Sequence, residues 1–124
     1  MAKKILIIDD DPTGTTLTSF LLRSNDYDVS TALDGMEGLR KADEENPDLI
    51  VLDVQMPNMD GYTFLREFKK ARYNKNLTLP PIIMLTAKEE MQATFKMEGV
   101  AAYFVKPLES EKFLAKVIQL VPRY

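Results

Sequence analysis

The chain has 124 residues, 45% of them apolar and 28% charged, with 16 Lys and Arg against 19 Asp and Glu for a net charge of −3. That balance predicts one folded domain over residues 1–124, large enough to bury a core without a disulfide or metal staple, and it excludes wholesale disorder; a mildly acidic surface also argues against nucleic acid as a partner of this domain, because such binding rests on Lys and Arg. There is neither Cys nor His, so thiolate chemistry, zinc-type sites and a Ser-His-Asp triad are excluded and any chemistry must use carboxylates, hydroxyls and lysine.

The first predicted element is the apolar run Ile5–Ile8, which ends in Asp9, Asp10 and Asp11. Four apolar residues fall short of the roughly 7–15 of a secretory segment. No stretch approaches the roughly 18 needed to span a bilayer, so a soluble, cytoplasmic protein without membrane association is expected. Pro12 suits the first turn of a helix in which Leu17, Leu21 and Ser24 share a face, with Phe20 beside them. A weaker strand follows at Tyr27–Ala32. Asp34 is the expected N-cap of a second helix reaching about Glu45 and stopped before Pro47. Leu49–Leu52 reads as a third strand, and Phe64, Leu65 and Phe68 mark a third helix after Gly61. Ile82–Leu85 is a fourth strand, Met91, Phe95 and Met97 mark a fourth helix, and Ala101–Val105 is a fifth strand. Leu114, Val117, Ile118 and Val121 mark a fifth helix ended by Pro122.

The runs at 5, 49 and 82 are apolar throughout, as in strands covered on both faces. Five β-α units with right-handed crossovers predict an α/β fold: a doubly wound, five-stranded parallel sheet of order 2-1-3-4-5, flavodoxin-like, in three α/β/α layers. In such sheets the ligand sits beyond the carboxyl ends of the strands. Those ends carry Asp9, Asp10 and Asp11 after the first strand, Asp53 after the third, Thr86 after the fourth and Lys106 after the fifth. Clustered carboxylates repel and call for a cation, and hard oxygen ligands without His or Cys favour Mg²⁺ or Mn²⁺. With the Thr86 hydroxyl and the Lys106 ammonium added, the set suits phosphoryl transfer to an aspartate.

At these residues the chain resembles the receiver domain of a two-component response regulator. The motifs that carry the likeness are Ile5-Leu6-Ile7-Ile8-Asp9-Asp10-Asp11-Pro12, the run from Pro47 through Asp53 to Met56-Pro57-Asn58-Met59-Asp60-Gly61, Ile82-Ile83-Met84-Leu85-Thr86-Ala87, and Tyr103-Phe104-Val105-Lys106-Pro107. The resemblance implies a phosphorelay module that accepts a phosphoryl group on Asp53 without being a turnover enzyme. Asp9, Asp10 and Asp53 would hold Mg²⁺ together with the backbone carbonyl of Gln55. Thr86 would bond a phosphoryl oxygen, Lys106 would pair with the group, and Tyr103 would be the switch aromatic. Pro57 and Gly61 would shape the loop after Asp53, and the Lys106–Pro107 bond would be cis. The donor would be a phosphohistidine on a histidine kinase or a histidine phosphotransfer protein. Output would run through the face of the fourth helix, fifth strand and fifth helix, to a downstream target, an effector domain or a second phosphorylated copy.

Some features depart from that pattern. The interval from Asp53 to Thr86 is a few residues long, which points to the stretch Tyr73–Leu79, and that from Thr86 to Lys106 is slightly short. Ala101 and Ala102 stand where acidic residues are common, so the output face is expected to be more apolar. Gln55 and Lys88 flank the site and are expected to tune the lifetime of the phosphoryl group. Met56 and Met59 read as packing or partner contacts, since a thioether does not suit Mg²⁺. Three other functions fit parts of the pattern. One is a haloacid-dehalogenase-type phosphatase with Asp9 as nucleophile and Asp11 as acid, although only Glu109 and Glu111 follow Lys106 to supply its last acidic pair. Another is a pseudo-receiver that binds protein without phosphorylation. The third, a flavodoxin-like cofactor binder, lacks a Gly-rich loop after the first strand. The sequence fits a single-domain regulator as well as a receiver from a longer protein.

Overall fold

The computed structural model describes residues 2–56, 59–87 and 99–124. Strands β1 (Lys4–Ile8), β2 (Asp28–Ala32), β3 (Leu49–Asp53), β4 (Ile82–Thr86) and β5 (Ala102–Val105) form one parallel sheet in the order β2-β1-β3-β4-β5. The described helices are α1 (Pro12–Arg23), α2 (Gly35–Glu45), α3 (Gly61–Asn74) and α4 (Ser110–Leu120). Thus α4 is the fifth helix of the sequence reading. The expected fourth helix, with Met91, Phe95 and Met97, lies outside the described residues, as do Pro57 and Lys88.

The pleat sorts the strand residues into two core layers, because successive side chains point to opposite faces. Leu6, Ile8, Ile50, Leu52, Ile82 and Met84 meet Ala42 of α2 and Phe64, Leu65 and Phe68 of α3. Ile5, Ile7, Leu49, Val51, Ile83 and Leu85 meet Leu22 of α1 and Phe113 and Val117 of α4. Burial on both faces explains the unbroken apolar runs, and each fully buried Leu or Ile contributes about 1.5–3 kcal/mol.

Acidic caps set the helix starts. Asp11 accepts from Thr13 N ahead of Pro12, Asp34 from Glu37 N, and Asp60 from Thr63 N; each such cap is worth about 0.5–2 kcal/mol. Asn46, at φ 49°, closes α2 in the left-handed region just before the buried Pro47. In the long stretch before β4, α3 takes in Tyr73 and Asn74, and Arg72 then binds Thr78 O through Nε and Nη2. The chain end is tied to the α1–β2 turn. There Tyr27 OH donates to Val121 O and Tyr124 OH to Asp26 Oδ2, both at 2.6 Å.

One expectation needs correcting. The stripe of Leu17, Leu21 and Ser24 is not the buried face of α1. That face is Thr15, Ser19 and Leu22; Leu21 is half-buried, Ser24 is exposed, and Leu17 and Phe20 are 67% and 72% exposed. Two small hydroxyl side chains let α1 lie close to the sheet, which turns the larger apolar groups outward.

Candidate functional site

The strand register decides what meets at the carboxyl edge. Ile8 pairs with both Ala32 and Leu52, Asp53 pairs with Leu85, and Thr86 pairs with Val105. Asp9, Asp53, Thr86 and Lys106 therefore leave the sheet side by side. Backbone bonds fix their origins: Asp9 N donates to Ala32 O at 3.0 Å, Val54 N to Leu85 O at 2.9 Å, and Lys106 N to Thr86 O at 2.7 Å.

Asp9, Asp53 and Thr86 are buried, whereas Asp10 and Gln55 are exposed. The Lys106 ammonium donates to Asp9 Oδ2 at 3.1 Å and lies 3.5 Å from Asp53 Oδ2. The other oxygens of the two carboxylates accept backbone amides, Asp9 Oδ1 from Asp11 N at 2.9 Å and Asp53 Oδ1 from Gln55 N at 3.3 Å. Burial, and next the neighbouring Asp9, push the Asp53 carboxyl up to about 6 against the opposing pull of Lys106. Burial alone would lower the Lys106 ammonium, but the Asp53 and Asp9 carboxylates outweigh it and hold it above its ordinary range.

Carboxylate oxygens of Asp9, Asp10 and Asp53 all lie within 4.8 Å of one another. Among the described residues one ammonium, that of Lys106, pairs with this group, and an all-oxygen set of that span fits a hard divalent cation. The cis Lys106–Pro107 bond is present. Beside the carboxylates, a groove of about 530 Å³ runs from Asp9 and Lys106 between α1 and the segment before α4, walled by Leu17, Leu21, Pro107 and Leu108.

Tyr103 is half-buried against the α2–α3 core layer. It pairs in register with Met84, two residues before Thr86 on the same face of β4. Asp9, Asp10, Asp53 and Lys106 are thus brought together at the carboxyl edge, with Thr86 at the neighbouring strand end and Tyr103 one pleat behind it. Asp11 is not drawn into the cluster, because its side chain caps α1. The sequence reading missed two features, the groove wall of Leu17 and Leu21 and the seating of Met59 on Gly35. For the second the only sequence signal is a glycine directly after the Asp34 cap.

Comparison with known proteins gives a consistent result. The family model for the response regulator receiver domain matches residues 5–118. The chain is 40% identical to the alkaline phosphatase synthesis transcriptional regulatory protein PhoP of Bacillus subtilis, over 99% of this chain and 50% of that protein. It is 37% identical to the DNA-binding dual master transcriptional regulator RpaA of Synechocystis, over 97% of this chain and 49% of that one. The chain thus spans about half the length of these curated relatives. Among solved structures, chemotaxis protein CheY4 of Vibrio cholerae superposes with a TM-score of 0.85 at 32% identity, covering 98% of this chain and all of that one (100%). Response regulator TrrA of Thermotoga maritima, solved in complex with Mg²⁺-BeF, gives 0.84 at 30% identity, covering 96% and 99%.

Proposed function

The chain belongs to the response regulator receiver domain family of two-component systems, and we propose that it is a phosphorylation-dependent switch whose acceptor is Asp53. One observation carries the assignment: a buried carboxylate at the end of β3 shares a lysine ammonium with Asp9, with Asp10 oxygens within 4.8 Å. In the proposed step an Asp53 oxygen attacks the phosphorus of a phosphohistidine. The new O–P bond forms as the P–N bond breaks, and the leaving imidazole takes a proton from solvent. Asp9, Asp10, Asp53 and the Gln55 carbonyl would hold Mg²⁺ or Mn²⁺, which when bound neutralises charge on the phosphoryl oxygens. Lys106 supplies a second positive charge, and the Thr86 hydroxyl donates to a phosphoryl oxygen. The groove beside Asp9 and Lys106 gives the incoming ring an apolar wall.

Movement of Thr86 toward the phosphoryl group opens room for Tyr103, which lies on the same face of the sheet. The face around β5 and α4 then favours a downstream target, an effector domain or a second copy, by shifting a pre-existing equilibrium. The exposed Ala101 in that region supports an apolar contact surface. The phosphatase alternative is less well supported. Its acid, Asp11, is used as a helix cap, and Glu109 and Glu111 are exposed on or beside α4. Among the described residues no helix is long and apolar enough to cross a membrane.

The test is intact mass after incubation with acetyl phosphate and Mg²⁺. One added phosphoryl group in the wild type, absent in Asp53→Asn, is the expected result. No adduct and no released phosphate would favour the pseudo-receiver. Phosphate release that depends on Asp9 but not Asp53 would favour the phosphatase.

A further inference from the structure

We infer that Met59, seated on Gly35, is a positioning residue for the cation-binding set, a reading that rests on the receiver assignment above. A Cβ placed on Gly35 would lie 2.8 Å from both Cγ and Sδ of Met59 and 2.9 Å from its Cβ. The methionine therefore fills the space that any other side chain at position 35 would need. Gly35 is buried at the first position of α2, directly after the Asp34 cap. Helix propensity does not favour glycine there over alanine, so the contact is what accounts for it. Met59 also packs, with Met56, against the core layer under α2 and α3.

This contact holds Met59, which lies between Asp53 and the return of the chain at Gly61. The return of the chain is pinned by Gly61, whose N–H donates to Val54 O at 2.9 Å and where a Cβ would lie 2.7 Å from Asp53 O and 2.9 Å from Val54 Cα. Gln55, between Asp53 and this return, is exposed and donates its amide to Asp53 Oδ1 at 3.3 Å, and its carbonyl is the backbone oxygen the cation would use. Mg²⁺ tolerates little departure from octahedral geometry, so an oxygen on a loosely held loop would bind it poorly. Residues that orient ligands without touching the metal commonly matter by 10–100-fold in affinity. Met59 fits that role, because it joins this loop to the start of α2, a part of the molecule that carries no ligand.

The test is Mg²⁺ binding by isothermal titration on the full chain without phosphodonor, with urea unfolding of each variant in EDTA. Gly35→Ala and Met59→Ala are expected to weaken Mg²⁺ binding about tenfold, and Met59→Leu to stay near wild type. Gly35→Ala combined with Met59→Ala should recover affinity relative to Gly35→Ala alone, because the added methyl then meets a shortened side chain. If Gly35→Ala does not fold, Met59→Ala against Met59→Leu decides alone. Affinity unchanged in the single variants, while wild type binds Mg²⁺ and is phosphorylated, would overturn the role of Met59 and leave the receiver reading standing. Losses that simply add in the double variant, or that track urea stability alone, would overturn it too. A wild type that binds no Mg²⁺ would instead remove the receiver reading and this inference with it.

Discussion

Lys106 and Asp9, 97 residues apart, meet at 3.1 Å, and the same ammonium lies 3.5 Å from Asp53. One side chain at the end of β5 thereby ties together the ends of β1 and β3. Its own side chain is 29% exposed while its partners are nearly sealed, at 3% and 7%. The carboxylates are held by the fold, and the lysine can follow an incoming charge.

Replacing Lys106 by Met removes the ammonium that two buried carboxylates share. The expected loss is about 1–3 kcal/mol at pH 7 in EDTA, discounted from a fully buried pair because the lysine is part exposed. The loss should shrink toward pH 5, where Asp53 takes up its proton, and shrink again with Mg²⁺ at pH 7. Urea midpoints under the three conditions check this. A loss that is the same at both pH values and with or without Mg²⁺ would mean that Lys106 stabilises by packing alone.

Asp53 gives the metal-free protein a pH dependence of definite sign. Its carboxyl titrates at about 6 in the fold, against an ordinary value of 3.8. Between those values the folded state holds more protons than the unfolded one, so stability falls as pH rises from about 4 to about 6 and then levels off. The full shift corresponds to about 3 kcal/mol. Asp53→Asn should therefore be the more stable protein at pH 7.5 in EDTA, with the difference vanishing near pH 4. A wild type that gains on the variant as pH rises from 4 to 6 would contradict this environment for Asp53.

Two glycines make a paired prediction about where the fold can yield. A Cβ on Gly61 would lie 2.7 Å from Asp53 O and 2.9 Å from Val54 Cα, both backbone atoms. A Cβ on Gly38 would meet Ile8 Cδ1 at 2.7 Å, the end of a side chain that can rotate. Gly61→Ala is expected to cost about 1–3 kcal/mol and to slow phosphoryl uptake, because α3 must move off the acceptor backbone. Gly38→Ala should cost less and leave uptake intact. Urea unfolding and timed intact-mass measurements separate the two effects, and equal uptake rates in both variants would refute the contrast.

These contacts show what could be read from the sequence. Asp53, Thr86 and Lys106 were legible because each ends an apolar run, and a parallel sheet in 2-1-3-4-5 order must bring those ends to one edge. The cap at Asp34 follows the same local logic. The face of α1 was not legible, because its buried side is made by the hydroxyls of Thr15 and Ser19 along with Leu22, and the apolar period points the other way. The seating of Met59 on Gly35 was equally hidden, since it joins a loop residue to the first turn of α2 with no periodicity and no complementary charge.

The outward turn of α1 yields the last prediction. Leu17 and Phe20 are 67% and 72% exposed, and Leu17 lines the groove that begins at Asp9 and Lys106. Since neither side chain is in the core, Leu17→Ser and Phe20→Ser should change stability by no more than about 0.5 kcal/mol. Neither touches the acceptor, so labelling by acetyl phosphate should keep its wild-type rate. A protein donor differs, because it must cover the groove while its phosphohistidine reaches Asp53, and Leu17 in the groove wall, with Phe20 exposed on the same helix, then becomes a buried contact. Loss of one well-buried anchor costs an interface about 2 kcal/mol or more, so transfer from a phosphohistidine protein below saturation should slow by roughly tenfold or more. Equal slowing with both donors would show that the substitutions distort the site. Unchanged transfer from the protein donor would place its contact on another face of the domain.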